Sequence, residues 1–350
     1  MSTAPASPPA TLALMKEILG RVAIGASLSE AQAEEVFEII MSGDATPAQI
    51  GALLMGLRVR GETVDEITGA ARIMRAKALR IDAPPQSVDI VGTGGDEAGT
   101  FNISTAASFV VAACGVPVAK HGNRAVSSKS GASDVLTALG VNIDADFALV
   151  SESLWKNNIG FLMAPRHHNA MRHVAGARGE LGTRTIFNLL GPLANPAGTR
   201  RQVVGVFAEQ WVEPMARVLG RLGAEHAWVV HGSDGLDELT TTGQTKVAEY
   251  KNGDVRLFIV TPEEVGLKRT SSASLKGGDA AANAAAMRAM LTGHPGAYRD
   301  IVVLNSAAAL LVADAVPTLA DGARMAERAI DDGKAIAVLE RMVAITNRKP

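Results

Sequence analysis

The segment best suited to bind an anion is rich in glycine and follows a short apolar run. It has the sequence Gly92-Thr-Gly-Gly-Asp96, and a predicted helix start with Asn102, Ser104 and Thr105 comes soon after it. Several glycines allow the backbone to approach a ligand closely and to turn its N–H groups toward that ligand. Hydroxyl groups and the dipole at a helix start also favour an anion. These residues predict a phosphate or diphosphate site, and the alternative is a plain connecting turn.

A first basic cluster follows the next apolar run. Residues 120–129 include Lys120, Arg124 and Lys129, which are interleaved with Gly, Asn and Ser and are accompanied by no acid. Ammonium and guanidinium groups bind phosphate well. We expect this cluster to bind the same anion as the glycine-rich segment, and the alternative is a solvated basic face.

A second basic cluster lies over residues 166–184, which hold four Arg, three His and one acid. The planar guanidinium suits a carboxylate or a phosphate, and the alternative is again a solvated surface. Zinc binding by His167, His168 and His173 is a weaker alternative, because their spacing sets adjacent imidazoles on different faces of a helix.

Two adjacent carboxylates, Asp237 and Glu238, lie in a glycine-rich segment after a further apolar run. Neighbouring carboxylates repel each other unless a cation lies between them, and oxygen ligands near a diphosphate suit Mg²⁺. The alternative is a solvated turn. No G-x-S-x-G motif is present, and the single Cys114 lies in an apolar run. The site is therefore predicted to act by positioning and charge, without a protein nucleophile.

The first 80 residues are predicted to form successive helices. Capping boxes begin at Ser29, Thr46 and Thr63. Glycines predicted to end helices lie at positions 20, 43 and 61. The sequence Ala83-Pro84-Pro85 then favours a break. We expect a tail over residues 1–10 and a small helical domain over 11–83, to which helices from about 169–190 could be joined.

The rest of the chain alternates short apolar runs with helical stretches. The runs predicted to be strands cover residues 88–91, 116–119, 159–163, 203–207 and 227–231. Crossovers of this length pair strands in parallel and leave helices on both faces. The predicted fold class is α/β, with a small N-terminal all-helical domain and a large α/β domain over 84–350 that has a mostly parallel central sheet. Ligands of such sheets bind beyond the carboxyl ends of the strands, where the polar segments above lie.

Composition limits the function classes. The chain has 350 residues, 47% of them hydrophobic and 20% charged, with a formal net charge of −2. A non-specific nucleic-acid binder would normally be far more basic, and no apolar stretch reaches the length of a membrane span. One cysteine cannot form an internal disulfide, and the start of the chain has no signal-peptide pattern. We expect a cytoplasmic globular protein.

Together, these motifs resemble the anthranilate phosphoribosyltransferases, which form part of the nucleoside phosphorylase-like phosphoribosyltransferase family. The resemblance covers nearly the whole chain, and its longest and most specific part is Arg178–Pro196. The other matching segments are 92–96, 101–105, 120–124 and 234–238. One departure is Asn169, where the family commonly has proline. The resemblance therefore does not imply the shape of the channel that receives the aromatic acid.

The resemblance implies transfer of the phosphoribosyl group of phosphoribosyl diphosphate to the amine of anthranilate, in tryptophan biosynthesis, without a covalent enzyme intermediate. It implies that phosphoribosyl diphosphate binds Gly92, Thr93, Gly94, Gly95, Asp96, Thr100, Asn102, Ser104, Thr105, Lys120, Asn123, Ser127 and Ser128. Anthranilate is expected at Gly92, His121, Asn123, His168 and Arg178. Two Mg²⁺ ions are expected at Ser104, Asp237 and Glu238. A homodimer through the helical domain is also implied, with no nucleic-acid or membrane partner.

Two other functions are compatible with such a fold. A pyrimidine nucleoside phosphorylase also combines a glycine-rich loop with a lysine-rich loop, but the Phe101-Asn-Ile-Ser continuation and the Asp237-Glu238 pair argue against it. A nucleic-acid-binding paralogue would have a basic surface and a degraded Asp-Glu pair, and neither feature is present in this sequence.

Overall fold

The computed structural model describes residues 9–96, 98–123 and 130–349. The described residues form two compact units. The helical unit contains the described residues through Leu79 together with Pro165–Ala194, and the α/β unit contains Arg80–Ala164 and the chain from Asn195 onward. Most of the predicted tail, residues 1–8, lies outside the described residues, and the first helix begins at Pro9.

The elements follow each other in a regular order. Among the described residues, the helices are α1 (Pro9–Ala23), α2 (Glu30–Ser42), α3 (Pro47–Arg60), α4 (Val64–Ala76), α5 (Ile103–Ala113), α6 (Ala132–Ala138), α7 (Phe147–Asn157), α8 (Ala164–His167), α9 (Arg172–Leu181), α10 (Phe187–Leu190), α11 (Val212–Arg221), α12 (Ala280–Leu291), α13 (Ala297–Val312), α14 (Leu319–Asp331) and α15 (Lys334–Thr346). The strands are β1 (Val88–Gly92), β2 (Val118–Gly122), β3 (Ile159–Met163), β4 (Arg201–Gly205), β5 (His226–Gly232), β6 (Thr245–Lys251) and β7 (Asp254–Val260). None of the described helices is long and apolar enough to cross a membrane.

Reciprocal capping boxes begin α2, α3 and α4. At each start the capping hydroxyl accepts from the third helical N–H, and the side chain at that position accepts from the N–H of the capping residue. All three predicted boxes are therefore confirmed. Gly43 and Gly61 follow α2 and α3 as predicted, but the prediction for Gly20 is wrong. Helix α1 passes Gly20 and continues to Ala23, and Gly25 adopts the left-handed φ of 81° beyond its end.

The helical unit is assembled from two separate stretches of chain. Helix α9 packs against α2 and α3, and α10 packs against α4. The rings of Phe37 and Phe187 meet edge to face with their centroids 5.7 Å apart, and both side chains are buried. The second stretch therefore supplies part of the core of this unit.

Within the described residues, seven strands in the order β3-β2-β1-β4-β5-β6-β7 form the sheet at the centre of the α/β unit. Strands β1 to β5 run parallel, and β6 and β7 are antiparallel to their neighbours. Helices α5 and α13 pack on each other and on the parallel strands, and α11 packs on β5 and β6. The predicted fold class is confirmed, and the predicted strands match β1 to β5 with ends shifted by a few residues.

The hairpin of β6 and β7 is absent from the strands predicted above. Its turn is Asn252-Gly253, and both residues have left-handed φ values, 54° and 93°. An Asn-Gly pair is a strong signal for a two-residue hairpin turn because both residues tolerate positive φ. The sequence therefore contained a usable signal for this hairpin.

The position of β1 determines where a ligand can bind. The chain leaves β1 for β2 and β3 on one side and returns to β4 on the other side. At such a switch point the loops after the two neighbouring strands diverge and leave a crevice at the carboxyl end of the sheet. The crevice of this sheet lies between the ends of β1 and β4.

Candidate active site

The glycine-rich loop after β1 is tied to the end of β4. The Thr93 N–H donates to the Gly205 carbonyl oxygen at 2.9 Å, and Thr93 Oγ1 accepts from the Phe207 N–H at 3.0 Å. Gly94 and Gly95 have φ values of 68° and 77°, a region that side chains on Cβ disfavour. The loop therefore starts at the switch point in a conformation that requires glycine.

Asp237 lies directly against this loop. The Gly94 N–H donates to Asp237 Oδ2 at 2.7 Å, although 143 residues separate the two positions. A Cβ atom on Gly92 would collide with the same carboxylate. The loop after β1 and the segment after β5 thus form one site, as the sequence predicts.

Three carboxyl groups are close together at this point. Burial, followed by the charge of the neighbouring Asp96, raises the pKa of Asp237 to about 7. Burial and the charge of Asp237 raise the pKa of Glu238 to about 8, against the opposing effects of Lys120 and of a hydrogen bond from the Ser104 N–H. Burial and like charge therefore both disfavour the ionised forms of Asp237 and Glu238 in the protein alone, and a divalent cation would favour them.

The donor set fits Mg²⁺ bound partly by other molecules. Within the described ranges, no group of three His, Cys, Asp or Glu side chains is arranged to hold a metal ion. Mg²⁺ in proteins commonly uses one or two carboxylates together with water and substrate phosphates. Asp237 and Glu238, beside the glycine-rich loop, match that pattern.

Lys120 is the third of the five residues of β2 and is buried, with 4% of its surface exposed. Its Nζ donates to the Ile90 carbonyl oxygen at 2.7 Å. Burial lowers the pKa of this ammonium group, and the charges of Asp89, Glu238 and Asp237 raise it. The lysine thus brings a positive charge to the same group of carboxylates.

Asp89, the second residue of β1, is a fully buried carboxyl group. Its Oδ1 accepts from the His121 N–H at 3.2 Å, and its Oδ2 accepts from Asn195 Nδ2 at 2.7 Å. Burial raises the pKa of Asp89 to about 6, although Lys120 and these donors oppose the rise. Asp89 therefore connects β1 to the Lys120-His121 segment of β2.

Helix α5 begins beside the glycine-rich loop. Asn102 precedes its first residue, accepts from Asn283 Nδ2 at 3.0 Å and donates to the Ser130 carbonyl oxygen at 3.2 Å. Thr105 is buried in the first turn, and Thr100 pairs with Lys276 in an isolated β-bridge. The start of α5 is thereby held in place from several parts of the chain.

The structure describes only the beginning of the first basic cluster. Asn123 follows β2 and is exposed. The remaining predicted residues of this cluster lie outside the described residues, namely Arg124, Ser127, Ser128 and Lys129. Their predicted contacts with the substrate therefore stay predictions.

Two predicted anthranilate residues, His168 and Arg178, belong to the helical unit. Burial and His167 lower the pKa of His168 to about 4, so its ring is neutral at physiological pH. The Arg178 guanidinium lies over the Phe187 ring, 5.2 Å from its centroid. Each residue is thus set in place by neighbours within its own unit.

Asp89 and Asn195 are two residues of this site that the sequence motifs do not reveal. Asp89 lies inside a predicted strand, Val88-Asp-Ile-Val91, where an acid at an interior position is itself a signal. Asn195 also donates to the Ala119 carbonyl oxygen at 2.8 Å, which completes a buried polar connection across β1 and β2.

Comparison with known proteins places these features in a family. Residues 84–336 match the model of the glycosyl transferase family α/β domain, and residues 16–78 match that of its helical bundle domain. The anthranilate phosphoribosyltransferase of Paramagnetospirillum magneticum is 85% identical over 99% of this chain and 99% of its own length.

Solved structures agree with this match. The crystal structure of anthranilate phosphoribosyltransferase from Thermus thermophilus has a TM-score of 0.90 and 45% identity, covering 94% of this chain and 99% of that chain. The Saccharomyces cerevisiae enzyme in complex with PRPP and Mg has a TM-score of 0.87 and 27% identity, covering 97% of this chain and 99% of that chain. With its fold, its two matched domains and a relative of this identity, the chain belongs to the anthranilate phosphoribosyltransferase family.

Proposed function

We propose that this protein transfers the phosphoribosyl group of phosphoribosyl diphosphate to the amine of anthranilate, giving N-(5-phosphoribosyl)anthranilate and diphosphate in tryptophan biosynthesis. The observation that carries the proposal is the hydrogen bond from the Gly94 N–H to Asp237 Oδ2, which joins the anion-binding loop to the carboxylate pair. Family membership at 85% identity supports the same reaction.

The diphosphate half of the substrate is proposed to bind the loop after β1 and the start of α5. Main-chain N–H groups in a glycine-rich turn and at a helix start point toward an anion and need little reorganisation during the reaction. Lys120 adds a positive charge near the leaving group. The residues assigned to this half are Gly92, Thr93, Gly94, Gly95, Asp96, Thr100, Asn102, Ser104, Thr105, Lys120, Asn123, Ser127 and Ser128.

Ser104, Asp237 and Glu238 are proposed to hold Mg²⁺, with two ions in each site. When bound, Mg²⁺ would neutralise the charge that grows on the diphosphate as it leaves C1 of the ribose. The support is the burial of Asp237 and Glu238 together with their repulsion by each other and by Asp96, which raise the pKa values of Asp237 and Glu238. Mg in the complex of the yeast enzyme is a second support.

Anthranilate is proposed to bind Arg178 through its carboxylate, with His121, Asn123, His168 and Gly92 around it. A fork of N–H donors holds a carboxylate in a fixed orientation, which would direct the neighbouring amine at C1. The aniline nitrogen is already a neutral nucleophile, so the reaction needs no strong base and no nucleophile from the protein. The residues of this chain are therefore proposed to act by binding both substrates and by stabilising the charge on the leaving diphosphate.

We further propose that the protein works as a cytoplasmic homodimer formed through the helical unit. Two large apolar side chains of that unit are strongly exposed, Ile24 at 84% and Val59 at 81%. Apolar side chains of this size are often covered by a partner. Nucleic acids and membranes are not proposed partners.

The proposed reaction is tested by measuring diphosphate release. We expect release only when Mg²⁺, phosphoribosyl diphosphate and anthranilate are present together, with one diphosphate per anthranilate consumed. Cleavage of pyrimidine nucleosides that depends on inorganic phosphate would instead indicate a phosphorylase. If neither activity is detected and the protein binds nucleic acid, the chain would be a nucleic-acid-binding protein and the proposal would be contradicted.

A further inference from the structure

A buried asparagine of α13 contacts the segment that carries the carboxylate pair. Asn305 is fully buried, and its Oδ1 accepts from the Leu239 N–H at 3.0 Å. Its Nδ2 donates to the Leu239 carbonyl oxygen at 2.8 Å and to the Ile301 carbonyl oxygen at 2.9 Å. One side chain therefore satisfies both main-chain polar groups of Leu239.

The orientation of the amide is fixed by its partners. Leu239 N–H can only donate, so it must face the amide oxygen, and the two carbonyl oxygens can only accept, so they must face the NH₂ group. The bond from Asn305 Nδ2 to Ile301, one turn earlier, ties the side chain to its own helix. Asn305 thus acts as a rigid connection between α13 and residue 239.

The contacted amide is the one that follows Glu238. The N–H of Leu239 belongs to the peptide bond whose carbonyl is that of Glu238, so its hydrogen bond to Asn305 fixes the orientation of that peptide plane. The Cα of Glu238 is an atom of this plane, so a displacement of the plane would carry the Glu238 side chain with it and change its distance to Ser104, whose N–H donates to the Glu238 carboxyl. The direction of the Glu238 carboxylate therefore depends on the Asn305 side chain, which hydrogen-bonds the main chain of the next residue.

Helix α13 also contacts the start of α5, on the other side of the site. Tyr298 lies seven residues before Asn305, on the same face of α13 two turns away. Its hydroxyl donates to the Asn102 carbonyl oxygen at 3.3 Å, and its ring stacks on Phe101 with the centroids 4.4 Å apart. Helix α13 therefore serves as a common support for the start of α5 and for the carboxylate pair.

We infer that Asn305 is a positioning residue that orients Glu238, and with it Asp237, for binding of the divalent cation. This inference rests on the proposed function, because it assumes that the two carboxylates hold the metal ion. Groups that orient metal ligands without touching the metal commonly change metal affinity by about 10- to 100-fold when they are removed.

The test measures binding of Mn²⁺ as a probe for Mg²⁺, in the presence of phosphoribosyl diphosphate, by the electron paramagnetic resonance signal of free Mn²⁺. Asn305→Asp keeps the acceptor for Leu239 but loses both donations, and Asn305→Leu loses all three hydrogen bonds. We expect the dissociation constant for Mn²⁺ to rise by about tenfold or more in both. The Michaelis constant for anthranilate should change by less than about twofold, since Arg178 is untouched.

A matched control removes a buried asparagine away from the site. Asn157 donates from Nδ2 to the Val338 carbonyl oxygen at 2.9 Å and accepts from Arg341 Nε at 2.7 Å, which joins α7 to α15. Asn157→Leu should lower the melting temperature without changing Mn²⁺ affinity. Equal weakening of Mn²⁺ binding in the Asn157 and Asn305 variants would mean that loss of stability is the cause, and would overturn the inference.

A second comparison separates this inference from the proposed function. If Asp237→Asn with Glu238→Gln leaves Mn²⁺ binding unchanged, the assignment of the metal ligands is wrong. If that double variant weakens binding while folded Asn305 variants bind Mn²⁺ as the unaltered protein does, only the role of Asn305 is wrong.

A milder variant and a measurement without substitution keep the test valid if the Asp or Leu variant fails to fold. Asn305→Ser is smaller and can still donate to the Ile301 carbonyl from within the helix, but it cannot reach Leu239. Hydrogen exchange of the unaltered protein decides the question without any substitution. The Leu239 amide should be protected before Mg²⁺ and phosphoribosyl diphosphate are added, and protection that arises only on their addition would contradict the inference.

Discussion

The main chain of Gly205, the last residue of β4, lies directly against the main-chain carbonyl of Asp237. A Cβ atom at position 205 would collide with this carbonyl, and a backbone group cannot swing aside as a flexible side chain can. The close approach sets Asp237 against the switch point, where the Thr93 N–H also meets the Gly205 carbonyl oxygen. Absence of a side chain at 205 is thus part of how the carboxylate pair is placed.

Gly205→Ala is expected to displace Asp237 and to lower turnover by about 100-fold, because a shift of about 1 Å in a positioned group has effects of that size. Steady-state kinetics at saturating substrates would measure it. Gly51→Ala is the control, since a Cβ at this position inside α3 meets open space and alanine favours a helix. Normal turnover in the Gly205 variant would show that the Asp237 position is not critical.

Asp237→Asn combined with Glu238→Gln should lower turnover by about 100-fold or more, since several kcal/mol of charge stabilisation would be lost with the metal. The fold should survive, because the substitution removes carboxyl groups whose pKa values are raised by burial and, after it, by the charge of neighbouring carboxylates. We expect a melting temperature at least as high as that of the unaltered protein. An unchanged rate and an unchanged Mg²⁺ requirement would refute the assignment.

Arg178→Ala should raise the Michaelis constant for anthranilate by about 10- to 100-fold, which corresponds to the loss of charge-assisted hydrogen bonds. The constant for phosphoribosyl diphosphate should change little. Arg172→Ala removes an arginine from the start of the same helix and should leave both constants unchanged. A shift confined to phosphoribosyl diphosphate would instead place Arg178 in the other half of the substrate site.

Asp89→Asn should change the pH dependence of stability. The pKa of Asp89 is about 6 in the folded protein against an ordinary value of 3.8, so the folded state holds the proton more tightly than the unfolded chain does. As pH rises from about 4 to 6, this group therefore lowers the free energy of unfolding, by up to about 3 kcal/mol. The asparagine variant lacks this dependence.

Urea unfolding at several pH values measures the effect as the difference between the two proteins. The unaltered protein should lose stability relative to Asp89→Asn between about pH 4 and 6, and the difference should be constant above about pH 7. The variant carries a separate, pH-independent penalty of about 1 to 3 kcal/mol, because its amide NH₂ would face the Asn195 NH₂ group. A difference that moves in the opposite direction with pH would contradict the assigned pKa.

The local signals of the sequence were sufficient for much of the fold. Capping boxes at Ser29, Thr46 and Thr63 act within one helical turn, so they can be recognised without knowledge of tertiary contacts. The glycine-rich loop and the Asp237-Glu238 pair were also found from residue types, and Gly94 contacts Asp237 as the parallel sheet predicted. The family and the fold class predicted from these motifs are confirmed.

Tertiary contacts account for what the sequence did not reveal. Asn305 lies in a helix of almost uniformly buried residues, where its type alone predicts nothing, and its partner Leu239 is 66 residues away. Asp89 differs, because an acid inside an apolar strand was visible but needed the buried donors of His121 and Asn195 to be interpreted. Long-range partners of buried polar groups are set by packing, which no short motif encodes.

The two-part construction of the helical unit has a consequence for synthesis on the ribosome. Helices α9 and α10 complete its core, and they are translated only after β1, β2 and β3. A nascent chain that stops near residue 83 would therefore leave Phe37 without Phe187 and expose an apolar surface. Expression of the first 83 residues alone should yield an aggregating fragment, whereas a fusion that supplies residues 165–194 in tandem should restore a soluble bundle.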